Sequence, residues 1–154
     1  MIDPGRVASL AALTLLAACG GDGTPSGASS ASPTIVTAAD TASYAGIGAD
    51  EVVHFTGTEP FWGGQVAGQV LTYTTPENQA GEAVTVDRFA GRNGISFSGQ
   101  LDGMPLVMAV TPGSCSDGMS DRAYPFTVTL QVKGEMREGC AWTDKQPFTG
   151  PAHP

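Results

Sequence analysis

Tyr124-Pro125-Phe126-Thr127-Val128-Thr129-Leu130-Gln131-Val132 is the longest alternating run in the chain. Bulky apolar residues take every second position, and mostly Thr and Gln fill the gaps. A period of two puts one set of side chains on each face of a strand, one face buried and one wet. Lys133-Gly134 follows as a turn, and residues 136–142 return as a second strand. On the N-terminal side, Asp102-Gly103 turns into Leu106-Val107-Met108-Ala109-Val110.

The same pattern extends toward the start of the chain. Val52-Val53-His54-Phe55 opens a strand, and residues 62–66 and 69–75 flank Ala67-Gly68, a two-residue hairpin signal. Residues 84–89 alternate, and Arg92-Asn93-Gly94 turns into Ile95-Ser96-Phe97-Ser98. No long window carries a capped helical face. About eight short strands joined by short turns predict an all-β domain. Its expected form is a small antiparallel meander barrel, closed or nearly so, with a β-sandwich as the alternative. The expected inward set is Val53, Phe55, Trp62, Leu71, Tyr73, Val84, Val86, Phe97, Leu106, Met108, Val110, Phe126, Val128, Leu130 and Val132.

Composition agrees. Of 154 residues, 21 are Gly and 11 Pro, and only 14% are charged, which argues against a helical bundle or coiled coil. Fifteen acidic against seven basic residues give a net charge of −8. Such a surface repels phosphate backbones, so nucleic acid is excluded as the expected partner.

The β pattern occupies residues 50–142 and leaves both ends outside it. Residues 7–18 are almost wholly apolar behind Arg6. Twelve residues of helix span ~18 Å, too short for a ~30 Å hydrocarbon core, but the length suits a secretory signal. Leu16-Ala17-Ala18-Cys19 resembles the lipobox of bacterial lipoproteins, in which the Cys becomes the lipidated first residue of the mature chain. The expectation is a signal peptide over residues 1–18 and a lipid on Cys19. Two or more acyl chains anchor stably where a single one is marginal. Gly20, by analogy with such lipoproteins, points to the outer membrane facing the periplasm.

Residues 20–49 hold 24 Gly, Ser, Ala, Thr or Pro among 30. They read, with Cys19, as a flexible linker with an r.m.s. reach of about 30 Å. Residues 143–154 carry Pro147, Gly150, Pro151 and Pro154 and read as a mostly loose tail. With Cys19 assigned to lipid, Cys115 and Cys140 remain as an even pair. An oxidising periplasm predicts one disulfide between them. A reduced pair or a metal site is the alternative.

Two segments are too particular to be ordinary strand. In Phe55-Thr56-Gly57-Thr58-Glu59-Pro60-Phe61-Trp62, Pro60 fixes its own φ and keeps Glu59 extended. The bend either displays Phe61 and Trp62 as an aromatic platform beside Glu59, or delivers a core plug that closes one end of the barrel. In the second, Cys115-Ser116-Asp117-Gly118-Met119-Ser120-Asp121-Arg122-Ala123-Tyr124-Pro125, the Asp and Ser side chains suit turn N–H groups. It is either a recognition loop presenting Met119, Arg122 and Tyr124, or a stapled connection capping its own backbone.

Together with the later Gly139-Cys140-Ala141, these motifs resemble those of a family of bacterial envelope lipoproteins built from a signal, a linker and a small β domain. The resemblance spans residues 52–142 and implies no activity. In architecture alone the chain is also similar to membrane-bound c-type lysozyme inhibitors, small disulfide-bonded β-barrels on lipid anchors.

Catalytic chemistry finds little footing. The His residues, His54 and His153, stand far apart, and no nucleophile elbow, Cys-x-x-Cys or EF-hand spacing occurs. Glu59 and Asp117 could form a hydrolytic carboxylate pair only if the fold brought them together. No enzyme, cofactor or metal is expected. The expected function is binding, through Glu59, Phe61, Trp62, Met119, Arg122 and Tyr124, of a protein or an envelope component. The alternatives are a small apolar ligand carried in the barrel mouth, a lysozyme-inhibitor-like role and a purely structural envelope lipoprotein.

Overall fold

The computed structural model describes residues 42–151. The lipobox with Cys19, the apolar stretch before it and most of the linker lie outside them.

Eight strands follow one another: β1 (Val53–Thr58), β2 (Phe61–Ala67), β3 (Val70–Thr74), β4 (Glu82–Ala90), β5 (Ile95–Leu101), β6 (Met104–Cys115), β7 (Tyr124–Val132) and β8 (Glu135–Thr143). Each pairs antiparallel with the next, and β1 pairs with β8, so the meander closes into a barrel. The sandwich alternative falls away. Closure leaves no unpaired edge among these strands.

Every residue expected inside is buried. On β7, Tyr124, Phe126, Val128, Leu130 and Val132 are buried, while Thr127, Thr129 and Gln131 are exposed. Ile47, Val66, Ile95 and Leu101 join the same core.

Turn chemistry sets the register. Asp102 (φ 53°) with Gly103 (φ 77°), and Lys133 (φ 51°) with Gly134 (φ 80°), have positive φ at both central positions. That is the I′ geometry whose twist matches antiparallel strands. Between β2 and β3 the turn is Gly68-Gln69, one residue later than expected, because Ala67 pairs with Val70. Gly68 at φ 60° supplies the left-handed first position of this turn.

Both ends of the domain are more ordered than the linker and tail readings predict. Ile47 is only 2% exposed, and its carbonyl accepts from Arg88 Nη2 at 2.7 Å. The Tyr44 N–H donates to the Gly91 carbonyl at 2.6 Å. Small-residue composition masked these two large apolar side chains, which find the rim of the barrel. In the tail, Thr143 and Gln146 exchange backbone hydrogen bonds, and Ala123 bridges Thr149. Residues 143–151 are therefore fastened to the barrel rather than loose. Glu51 ties the two ends together, accepting from the Thr143 hydroxyl and, at 3.4 Å, from Lys145 Nζ. The Thr143 hydrogen bond is the main reason its carboxyl titrates below the usual range.

Cys115 and Cys140 form the expected disulfide, with Cα atoms 5.6 Å apart. A register shift between Pro112 and Cys115 bends the end of β6. Cys140 pairs with Thr127 on one side and Thr56 on the other, in the outward-facing row. The bridge thus straps the 116–123 connection back over the outside of the barrel.

Candidate functional site

The β1–β2 bend separates the two aromatic residues that the sequence places side by side. Consecutive strand residues point to opposite faces. Phe61 is 53% exposed and Trp62 only 4%. The Glu59–Pro60 peptide in the bend is cis. Trp62 lies inside, with ring centroids 5.8 Å from Phe55 and 6.5 Å from Tyr73. Two glycines make room for it. A Cβ on Gly57 would collide with the indole nitrogen, and one on Gly139 would sit 2.9 Å from the ring. The platform reading of Trp62 is corrected: it is the core plug. Its Nε1–H is buried with no acceptor among the described residues.

Asp117 organises the second motif. Its Oδ1 accepts from the Met119 and Ser120 N–H groups at 3.0 and 2.8 Å. Its Oδ2 accepts from the Ser120 hydroxyl at 2.7 Å and from the Tyr124 hydroxyl at 3.1 Å. These bonds, the Ser120 hydroxyl foremost, hold its carboxyl down to about 2. The Asp117 carbonyl accepts from Thr58 Oγ1 at 3.1 Å, which joins this loop to the end of β1. Here the two motifs meet.

A satellite aromatic cluster supports the loop from beneath. Trp142 stacks on His54 at 5.3 Å, and lies 5.5 Å from Tyr124 and 5.6 Å from Phe148. Arg122 covers the Phe148 ring at 4.6 Å, and its Nε donates to the Pro151 carbonyl at 2.9 Å. Burial pushes the Tyr124 hydroxyl above its ordinary pKa.

The result is a cleft of about 280 Å³ on the outer wall, lined by Thr56, Thr58, Phe61, Asp117, Met119, Ser120, Arg122, Tyr124 and Trp142. Four of the six expected binding residues (Phe61, Met119, Arg122 and Tyr124) meet there. Trp62 lies behind the wall. Glu59 stands exposed at the tip of the bend, outside this lining, and enters no hydrogen bond or ion pair among the described residues. Sequence reasoning missed Trp142, Thr56 and Thr58. For Trp142 the available signal was its place two residues beyond Cys140. Two further clefts adjoin, and Thr56 lines all three. One, about 340 Å³, runs over Gly57, Phe61, Gly63, Thr74 and Pro76. The other, about 370 Å³, runs over Ser116, Asp117, Thr127, Thr129 and Glu138.

The hydrogen bonds of its own loop keep Asp117 ionised near neutrality, so it has no proton to donate there. Among the described residues no three His, Cys, Asp or Glu side chains gather for a metal. No family model, curated protein or solved structure matches this chain.

Proposed function

We propose that this protein is a lipid-anchored, non-catalytic binding module of a bacterial cell envelope, hung by Cys19 in the periplasm and docking a protein on the outer wall of its barrel. The observation that carries the reading is a convergence. Two peculiar segments far apart in sequence end on one cleft, joined by the Thr58–Asp117 hydrogen bond and strapped by Cys115–Cys140. A rigid, stapled rim with protruding Phe61 and Met119 suits recognition, since preorganised apolar anchors lose little freedom on binding. The disulfide suits an oxidising compartment. The lipobox-like Leu16-Ala17-Ala18-Cys19 supplies the anchor, and the small-residue linker supplies the stand-off.

The outer wall is preferred to the barrel mouth because Trp62 and its neighbours fill the interior. The test is photocrosslinking from position 61 of the full chain in intact host cells, with mass analysis of the native N-terminus. The expected result is one recurrent protein adduct from position 61, absent from position 107 on the far wall, and a triacylated Cys19. No adduct, an unmodified Cys19, or peptidoglycan hydrolysis abolished by Glu59→Gln would each overturn the reading.

A further inference from the structure

The chain contains two asparagines, Asn78 and Asn93, and they stand in opposite circumstances. Asn78 precedes Gln79 and is locked in its turn. Its N–H and carbonyl exchange backbone hydrogen bonds with Thr75 at 3.1 and 3.2 Å, and its Oδ1 accepts from the Gly81 N–H at 3.2 Å. Asn93 precedes Gly94 in the connection between β4 and β5. It is exposed, and its side-chain amide has no hydrogen-bonding partner among the described residues.

That neighbour matters chemically. The main-chain nitrogen of the next residue can attack an asparagine Cγ and close a succinimide ring. A side chain on that next residue crowds the nitrogen and restricts the backbone rotation the attack needs, and glycine does neither. Asp102-Gly103 and Asp117-Gly118 offer the same following glycine. Both carboxylates are held, however: Asp102 Oδ2 lies 2.9 Å from Lys133 Nζ, and the Asp117 carboxylate accepts four hydrogen bonds within its own loop. A carboxylate so held is a poor target for a nucleophile.

We propose that Asn93 is a modification site, at which the chain converts itself with time to aspartate and isoaspartate. The Gly94 nitrogen bonds to Asn93 Cγ and gives up its proton. The Cγ–Nδ2 bond breaks, and the amide nitrogen leaves with that proton as ammonia. Water then opens the ring. Attack at Cγ leaves aspartate. Attack at the main-chain carbonyl carbon of residue 93 breaks its bond to the Gly94 nitrogen and leaves isoaspartate, whose backbone runs through Cγ and is longer by a methylene. Solvent is the sole co-reactant.

The turn gives this change a consequence. Across it the Gly91 N–H donates to the Gly94 carbonyl at 2.9 Å, and the Gly91 carbonyl accepts the Tyr44 N–H. Ala90 pairs with Ile95 directly behind. Gly94 is pressed onto β6, where a Cβ would collide with the Val110 carbonyl. A longer backbone at residue 93 has no slack to enter and displaces the Gly91–Gly94 closure. Tyr44, packed against the core and held by Gly91, is the residue it loosens.

The test ages the full chain in neutral buffer and compares it with fresh chain. A protease that cuts before aspartate releases residues 87–101 in one piece from fresh chain. After ageing, part of this peptide should be cut before residue 93, marking aspartate. Another part should stay whole but heavier by the exchange of an amino group for a hydroxyl, marking isoaspartate. Asn78 should keep its amide over the same time. Amide exchange at Tyr44 and Gly91 should accelerate about fivefold, the worth of one backbone hydrogen bond, with β6 and β7 amides unmoved. Asn93→Gln changes an exposed, unbonded side chain, so it keeps the fold, and it should abolish both effects. An unaltered 87–101 peptide, equal conversion at Asn78, or the same mass gain in Asn93→Gln would overturn the proposal. Conversion at residue 93 with exchange at Tyr44 unchanged would overturn its consequence for the turn.

Discussion

The inside of the barrel and the patch of outer wall beneath the 115–124 connection are built on different principles. The interior is made by repetition. Alternating side chains from eight strands interlock, and each position is fixed by its neighbours two residues away. The outer patch is made by fastening. Residues as remote as His54, Tyr124, Trp142 and Phe148 meet there, held by one disulfide, one bonded carboxylate and a two-residue bridge. Interior order is spread over many equivalent contacts, whereas outer order depends on a few that differ. A site on such a patch can change without disturbing the fold.

Four measurements break or sharpen that contrast. Phe126→Ala empties a position 1% exposed on β7, and should cost about 3–5 kcal/mol in denaturant unfolding, with interior and patch lost together. Replacing Cys115 and Cys140 by Ser opens a loop of sequence separation 25. In the chain-entropy account this costs roughly 3.5 kcal/mol. Hydrogen exchange should accelerate in residues 116–123 while the strand amides stay protected. Loss of protection throughout would mean that the patch is not separable from the barrel.

Gly139→Ala tests the seam between the two regions. The added Cβ would meet the Thr56 carbonyl and the Trp62 ring. About 1–3 kcal/mol of destabilisation is expected, the ordinary cost of overpacking, with near-ultraviolet dichroism of Trp62 altered. The smallest effect is on acidification. The Asp117 carboxyl titrates at about 2 in the closed loop, against an ordinary 3.8. A depressed folded pKa means that its stabilisation is present above about 3.8 and is lost as pH falls toward 2. Carboxyl carbon shifts should follow that window, with Met119 and Ser120 amides loosening and interior amides unmoved.

Legibility in the sequence divides along the same line. The interior was readable because period two is a local signal, and all expected inward residues, from Val53 to Val132, are buried. Lys133-Gly134 and Asp102-Gly103 declared their turns through residues that tolerate positive φ. The disulfide followed from counting. Tyr44 and Ile47 were hidden by a composition that describes an average, while burial depends on single side chains. Phe148 was hidden among prolines for the same reason. At the site, Phe61, Met119, Arg122 and Tyr124 stood out as binding residues; Thr56 and Thr58 stood in the first motif without being assigned to the site, and Trp142 looked like ordinary strand. They become site residues only when a connection folds over them, a long-range event that no window of sequence contains. Trp62 stood in the expected inward set and is buried there; the competing platform reading overlooked that its neighbour Phe61 takes the opposite face.

Closure by the first and last strands bears on how this chain is made. Until residues 135–143 have been synthesised, β1 lacks its β8 partner and Cys115 lacks its partner Cys140. A growing or threading polypeptide can therefore gather hairpins but not complete the cylinder or its crosslink. Maturation waits for the final strand to arrive, and a chain crossing a membrane through a narrow channel would stay open until its C-terminal end came through.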